Sequence, residues 1–172
     1  VAVGQQLVIL DDPVAGAETS PCPGSCGICE RHRQHTCTAL LEVTRRCNLG
    51  CPICFAESVP GREEPDPSLE QMERMLGELF ADQGAVNLQL SGGEPTVRDD
   101  LPYIVRTARG VGFTFIQLNT NGLRIAAEDG YAEELREAGL ASVFLQFDGV
   151  TDSTYRALRG RPLVAQKMAV LE

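Results

Sequence analysis

Several features of common protein classes are missing from this sequence. No apolar run approaches the roughly 18 residues of a membrane-spanning helix, although 43% of the residues are hydrophobic, as in globular proteins. The apolar start, Val1 to Leu10, lacks the basic residues and the small-residue cleavage site of a signal peptide. The sequence therefore predicts a globular cytoplasmic protein with no membrane span.

Positive charge is also scarce. Lysine and arginine total 15 against 24 aspartates and glutamates, which gives a net charge of -9. A general nucleic-acid surface needs clustered positive charge. The sequence therefore predicts no nucleic-acid partner, although a nucleotide cofactor held in one pocket remains compatible with it.

Cysteine is absent from most of the chain. All seven cysteines lie between Cys22 and Cys54. Because seven is an odd number and no secretion signal is visible, this cluster favours metal binding over disulfide bonds.

Strand and helix patterns alternate four times from residue 38 onward. The strands are predicted at 38–44, 85–90, 113–119 and 142–147, and the helices at 68–82, 101–109, 125–138 and 152–158. This alternation predicts an α/β fold with a parallel sheet. We divide the chain into a Cys-rich leader, residues 1–37, and a core domain, residues 38–172.

Each unusual loop follows one of these strands. The four loops are Cys47–Cys54, Gly92–Pro95, Asn119–Gly122 and Asp148–Gly149. Sites of parallel α/β folds lie at the carboxyl ends of the strands. We therefore expect these loops to meet at one edge of the sheet.

The first loop carries Cys47, Cys51 and Cys54 within eight residues. Three thiolates suit a soft metal or an iron–sulfur cluster. On a four-iron cluster they would leave one iron open, and an open metal position is where substrate chemistry takes place. The spacing alone also allows a zinc site completed by a residue of the leader.

The second loop is Gly92-Gly93-Glu94-Pro95. Two glycines allow a ligand to approach the backbone closely, and Glu94 offers a carboxylate to a ligand ammonium. An ordinary turn between a strand and a helix is the alternative interpretation.

Four motifs in order resemble the radical S-adenosylmethionine (SAM) superfamily over residues 38–172. They are CNLGCPIC, GGEP, LNTNG, and FDG followed by YRALRG. Many members carry a histidine where this chain has Tyr155, so the role of Tyr155 stays open. The resemblance implies a partial (β/α)6 TIM-like barrel. The chain has no initiator methionine and covers about four βα units, so we expect a fragment, incomplete as a catalyst.

The resemblance also implies a chemistry. Cys47, Cys51 and Cys54 would hold a [4Fe-4S] cluster whose open iron binds SAM. One electron from a low-potential donor would cleave SAM to methionine and a 5′-deoxyadenosyl radical, which abstracts hydrogen from a small-molecule or lipid substrate.

Further residues receive roles from the same resemblance. Gly92, Gly93 and Glu94 would contact the amino group of SAM. Arg159 would bind its carboxylate as a bidentate fork, and Phe55 would lie against the adenine. The candidates for contacts with the ribose or the substrate are Asn119, Gln146 and Asp148.

The leader repeats the cysteine spacing at Cys22, Cys26 and Cys29, and Cys37 follows. Four thiolates suffice for a closed iron or zinc site or an auxiliary cluster, although His32 or His35 could replace one of them. Together with the first loop, the leader is similar to a subgroup that includes methanopterin-precursor methyltransferases and archaeal tetraether-lipid synthases. This similarity implies pterin methylation or lipid carbon–carbon coupling.

Two other classes of protein remain as alternatives. One is an iron–sulfur electron-transfer module without SAM chemistry, which has no need of the GGEP loop. The other is a zinc-stabilised interaction domain, which the identity of the bound metal would reveal.

Overall fold

A computed structural model describes residues 37–54, 56–58, 60–61 and 65–171. Within these residues a four-stranded parallel sheet has the order β1-β2-β3-β4. Its strands are β1 (Thr38–Thr44), β2 (Asn87–Gly92), β3 (Ile116–Thr120) and β4 (Ser142–Leu145). The predicted α/β fold with a parallel sheet is confirmed.

Six helices connect or follow the strands in the described part of the chain. None of them is long and apolar enough to cross a membrane. A short 3-10 turn, Pro95–Val97, precedes the second helix. The helices are α1 (Leu69–Gln83), α2 (Leu101–Val111), α3 (Leu123–Ala127), α4 (Tyr131–Ala138), α5 (Asp152–Arg159) and α6 (Val164–Ala169).

The core lies between one face of the sheet and the helices. Side chains alternate between the two faces of a strand, so alternate residues of β1, β2 and β3 are buried in this core, whereas no residue of β4 is buried. Burial of one such large apolar side chain contributes about 1.5–3 kcal/mol. The buried residues include Leu41, Val43, Leu88, Leu90, Ile116 and Leu118 from the strands and Met72, Leu76, Ile104, Val105 and Leu135 from the helices.

The opposite face of the sheet is polar in its centre. Gln89, Gln117 and Ser142 share one row of the parallel register. Gln89 Nε2 donates to Gln117 Oε1 at 2.6 Å, and Gln117 Nε2 donates to Ser142 Oγ at 3.2 Å. This face can therefore offer hydrogen-bonding groups to a polar ligand.

The first helix begins with a capping box. Ser68 Oγ accepts a hydrogen bond from the Gln71 amide at 3.2 Å, and Gln71 Oε1 accepts one from the Ser68 amide at 2.7 Å. Such a cap satisfies two backbone donors at the start of a helix and stabilises it by roughly 1 kcal/mol. The predicted start at residue 68 is thereby explained.

The prediction of a single helix over residues 125–138 was wrong. The segment forms α3 and α4, separated at Glu128–Gly130. Gly130 has a φ of 81°, a left-handed conformation that interrupts a right-handed helix.

The third strand is shorter than predicted, because it begins at Ile116 and not at residue 113. Aromatic residues are enriched in strands, which extended the prediction to Phe113. In the structure Phe113 is buried ahead of the strand, with its ring edge-on to Phe80 at a centroid distance of 5.3 Å. Its apolar character therefore reports burial and not strand structure.

The ends of β1 and β2 approach each other closely at Gly92 and Gly93. A Cβ atom on Gly92 would lie 2.1 Å from the carbonyl oxygen of Thr44, and one on Gly93 would lie 2.2 Å from that of Arg46. The predicted need for a close approach is real, but the approaching group is the backbone after β1. Contact of these glycines with a cofactor stays a prediction.

We predict that Gly93→Ala strongly destabilises the protein, because its Cβ would overlap with backbone atoms that cannot rotate away. The expected cost is about 3 kcal/mol, at the upper end for overpacking. The matched control is Gly77→Ala in α1, where a Cβ would meet nothing within 4 Å. Urea denaturation should show Gly77→Ala unchanged or more stable by up to about 1 kcal/mol. Equal stability of the two variants would contradict the close approach.

Candidate active site

The loops at the carboxyl ends of the four strands are joined by hydrogen bonds. The Glu94 amide donates to the Arg46 carbonyl at 2.9 Å, which joins the loops after β1 and β2. Thr120 Oγ1 donates to Glu94 Oε1 at 2.6 Å, which joins β2 to β3. The Gln146 amide donates to the Thr120 carbonyl at 3.0 Å, which joins β3 to β4. The predicted convergence at one edge is therefore present.

Glu94 lies at the centre of this edge and is 1% exposed. Its Oε1 atom accepts hydrogen bonds from the Thr96 amide, Thr96 Oγ1 and Thr120 Oγ1. Its Oε2 atom accepts one from the Asn121 amide at 2.6 Å. Oε2 thus accepts one hydrogen bond where Oε1 accepts three, so Oε2 retains capacity for a further donor. Binding of a ligand ammonium stays a prediction for this residue.

Asn121 connects the third loop to the cysteine loop, which is the segment after β1 at residues 45–54. Its Nδ2 donates to Asn48 Oδ1 at 2.8 Å, and its Oδ1 accepts from the Leu123 amide at 3.0 Å. Sequence reasoning identified only a turn at this asparagine. The structure shows that the same residue contacts both Glu94 and the loop that carries the cysteines.

The cysteine loop is half-buried, and its three thiols are free of disulfide bonds. Leu49 of this loop packs with Tyr155 and Leu163 in a small apolar cluster, separate from the main core. The Leu49 amide donates to Cys47 Sγ at 3.4 Å. Burial raises the pKa of the Cys47 thiol, and this hydrogen bond offsets only part of the rise.

The three thiols do not surround a common single-ion position. In the described ranges, no group of three histidine, cysteine, aspartate or glutamate side chains has the spacing to hold one metal ion. A lone zinc ion needs its sulfur ligands at about 2.3 Å from one point.

Cys37 lies at the other end of β1 from the cysteine loop. It is exposed, and its carbonyl accepts a hydrogen bond from the Asn87 amide. Seven strand residues at about 3.3 Å each place Cys37 roughly 20 Å from the loop. Cys37 is therefore not a fourth ligand of the Cys47 site. The other predicted leader ligands, Cys22, Cys26 and Cys29, and also Phe55, lie outside the described residues.

Arg159 and Asp148 form a bidentate ion pair beside the cysteine loop. Arg159 Nε donates to Asp148 Oδ2 at 2.7 Å, and Nη2 donates to Oδ1 at 2.6 Å. The remaining nitrogen, Nη1, donates to Cys51 Sγ at 3.8 Å. The hydrogen bonds to Asp148 raise the pKa of Arg159. Asp148 therefore occupies the guanidinium fork. Contact of Arg159 with the SAM carboxylate stays a prediction.

Tyr155 contacts the backbone of the same ion pair. The residue is fully buried, and its hydroxyl oxygen accepts a hydrogen bond from the Asp148 amide at 3.2 Å. Its ring lies edge-on to Phe147 at a centroid distance of 6.4 Å. Tyr155 therefore combines apolar packing under the cysteine loop with positioning of Asp148.

Asn119 and Gln146 lie at the ends of β3 and β4. Asn119 Nδ2 donates to Ser91 Oγ at 3.3 Å, while its Oδ1 is buried and has no hydrogen-bond partner in the described part of the chain. A buried acceptor of this kind costs about 1–3 kcal/mol if it stays unpaired. Asn119 Oδ1 is therefore suited to accept from a ligand hydroxyl or amine. The side chain of Gln146 is half-buried at the same edge.

Lys167 is a residue of this edge that sequence reasoning missed. It is the only lysine of the chain and is 1% exposed. Its Nζ donates to the Asn121 carbonyl and lies 5.9 Å from the centroid of the Tyr155 ring. The spacing of four residues from the buried Leu163 could have revealed it, since residues i and i+4 share a helix face. Burial lowers the pKa of Lys167 to about 8.

We predict that Lys167 makes the stability of the protein depend on pH. Its pKa rises on unfolding from about 8 to the ordinary value of about 10.4. Between these values the unfolded chain binds more protons, so the free energy of unfolding increases as the pH rises from about 8 to about 10.4. Lys167→Met should abolish this increase and leave the dependence below pH 8 unchanged. Denaturant unfolding of both proteins across this range measures the difference, and parallel curves would contradict the prediction.

The fold and the loops at the carboxyl edge of the sheet together define a class of protein. A parallel α/β sheet presents a three-cysteine loop after its first strand and a Gly-Gly-Glu loop after its second. Residues 41–172 match the family described as the Radical SAM superfamily. The chain belongs to this superfamily, as its motifs indicated.

Two curated relatives and one solved structure illustrate the similarity. The chain is 42% identical over 152 residues to the 7,8-dihydro-6-hydroxymethylpterin dimethyltransferase of Methanocaldococcus jannaschii, covering 88% of this chain and 30% of the relative. It is 34% identical over 127 residues to the probable GTP 3′,8-cyclase of Methanothermobacter thermautotrophicus, covering 74% and 40%. The chain thus spans less than half the length of either relative.

The solved structure is that of Streptococcus suis SuiB bound to its precursor peptide SuiA. It matches with a TM-score of 0.61 at 20% identity, over 78% of this chain and 29% of SuiB. At this identity the match concerns the fold alone. It confirms the partial TIM-like barrel architecture that the motifs implied.

Proposed function

We propose that the protein containing this chain is a radical SAM enzyme whose cluster is held by Cys47, Cys51 and Cys54. The observation that carries this proposal is the junction of the cysteine loop with the Gly-Gly-Glu loop, through the hydrogen bond from the Glu94 amide to the Arg46 carbonyl. An electron-transfer module has no need of such a junction.

The described residues fit an iron–sulfur cluster. The donor set consists of three free thiols on one loop, and thiolates are the ligands that such clusters require. A cationic guanidinium beside Cys51 adds favourable charge for a bound thiolate. When bound, the cluster and SAM would supply a radical that abstracts hydrogen from the substrate.

The protein contributes binding, orientation and exclusion of water. We assign the methionine amino group of SAM to the backbone at Gly92 and Gly93 and to Glu94 Oε2. Asn119 Oδ1, the buried acceptor without a partner, would receive a hydroxyl of the ribose or a donor of the substrate. Gln146 and Asp148 extend the same edge at the end of β4. A low-potential reductant would deliver the electron.

The leader favours one reaction within the superfamily. The match to the pterin dimethyltransferase covers 88% of the chain and so extends into the leader, whereas the superfamily match begins at residue 41. A match that includes the Cys-rich leader of this chain supports a shared substrate class. We therefore propose methylation of a reduced pterin and a second metal site at Cys22, Cys26, Cys29 and Cys37.

We predict that the complete protein, reconstituted anaerobically with iron and sulfide, forms 5′-deoxyadenosine from SAM in the presence of dithionite. Cys47→Ala should lose the cluster absorbance and reduce the product to background, because two thiolates do not hold the cluster. Gly77→Ala is the control, since it lies in α1 with open space around an added Cβ and should retain SAM cleavage. Liquid chromatography with mass spectrometry measures the product.

The other outcomes of this experiment point to other functions. Iron and sulfide without SAM cleavage would favour an electron-transfer module. Zinc as the sole metal after anaerobic purification, before reconstitution, would favour an interaction domain. Addition of 7,8-dihydro-6-hydroxymethylpterin should yield a methylated pterin. If SAM is cleaved but no pterin is methylated, the superfamily chemistry stands and the substrate assignment fails.

A further inference from the structure

One nitrogen of Arg159 is left over from its ion pair and is directed at a cysteine sulfur. Nε and Nη2 are both engaged by Asp148, whereas Nη1 donates to Cys51 Sγ at 3.8 Å. The guanidinium therefore lies between the carboxylate and the sulfur. Its position is fixed by two charge-assisted hydrogen bonds, which are among the stronger ones in proteins.

The surroundings increase the effect of this charge. The Arg159 and Asp148 side chains are 21% and 17% exposed, so water screens their charges less than it would at the surface. Tyr155 is uncharged, and its hydroxyl oxygen accepts a hydrogen bond from the Asp148 amide at 3.2 Å, which helps to fix Asp148 in place. The ion pair is thus an oriented dipole whose positive end faces Cys51.

We propose that Arg159 is a positioning residue that raises the reduction potential of the cluster bound through Cys51, by directing its positive charge at the ligating sulfur. The proposal rests on the function proposed above. Reduction adds one electron to the cluster and makes it more negative. A nearby cation stabilises the reduced form more than the oxidised form, and hydrogen bonds to ligand sulfurs tune such potentials.

Asp148 has the opposite effect in this arrangement. Its carboxylate partly neutralises the guanidinium and so limits the rise in potential. Removal of the cation should make the cluster harder to reduce, and removal of the anion should make it easier to reduce. A merely structural pair would behave differently, since loss of either partner would then disturb the cluster in the same way.

Binding of the SAM carboxylate by Arg159 makes a different prediction. A residue that only binds SAM would change the affinity for SAM but not the potential of the cluster measured without SAM. The decisive measurement is therefore a redox titration in the absence of SAM.

The experiment uses the complete protein, reconstituted anaerobically and titrated with dithionite in the presence of mediators. The measurement follows the electron paramagnetic resonance signal that wild type shows and Cys47→Ala lacks. This choice separates the cluster from any second one in the leader. Wild type is compared with Arg159→Gln and Asp148→Asn. Arg124→Gln is the matched control, because Arg124 also pairs with carboxylates but has no contact with a cysteine in the described structure.

We expect Arg159→Gln to lower the ratio of reduced to oxidised cluster about tenfold at a fixed potential, which corresponds to about 59 mV for one electron. Asp148→Asn should shift the ratio in the opposite direction, and Arg124→Gln should leave it unchanged. If Arg159→Gln loses its iron, the direction of the shift in Asp148→Asn decides whether the proposal holds.

Unchanged ratios, or shifts of the same sign in Arg159→Gln and Asp148→Asn, would overturn the proposal. Weaker binding of SAM by Arg159→Gln without a shift in potential would also overturn it. Absence of the signal from wild type is a distinct outcome, because it refutes the proposed function itself.

Discussion

The buried carboxylate of Glu94 determines how the site edge of this protein is assembled. It accepts hydrogen bonds from its own loop and from the loop after β3, while its backbone amide is bound to the loop after β1. Burial of a charge is costly unless hydrogen bonds satisfy it, and four donors satisfy this one. Three loops that are distant in sequence are thereby held to one point.

A second set of charges lies beside this point, under the cysteine loop. Asp148, Arg159 and Lys167 come from the last third of the chain, and Arg159 contacts Cys51. Lys167 binds the Asn121 carbonyl, so the third loop is held by Glu94 through its amide and by Lys167 through its carbonyl. Both charged groups are buried, and each is paired with a backbone dipole.

Much of this arrangement follows from sequence pattern. The alternation of strands and helices indicates the parallel sheet, and the rule that loops at carboxyl strand ends converge places the cysteines beside Glu94. The break at Gly130 was missed because apolar residues on both sides continue one helical pattern. Lys167 was missed because a lysine is expected at the surface, and no local rule predicts which carbonyl it will bind.

The partner of a side chain is the information that sequence pattern lacks. Arg159 and Asp148 were both predicted as ligand contacts, and the structure pairs them with each other. Eleven positions separate them, and the turn between β4 and α5 determines that they meet. Similarly, the need for glycine at Gly93 was apparent, but the group that approaches it is the Arg46 carbonyl after β1.

The junction between the cysteine loop and the Gly-Gly-Glu loop has a thermodynamic consequence. Two backbone hydrogen bonds, from the Gly93 and Glu94 amides to the Thr44 and Arg46 carbonyls, make the two loops share one ordered backbone. Whatever orders one loop reduces the entropy that a second ligand must still remove from the other. Linkage is reciprocal, so ligands bound as proposed at the cysteines and at Glu94 would each strengthen the binding of the other.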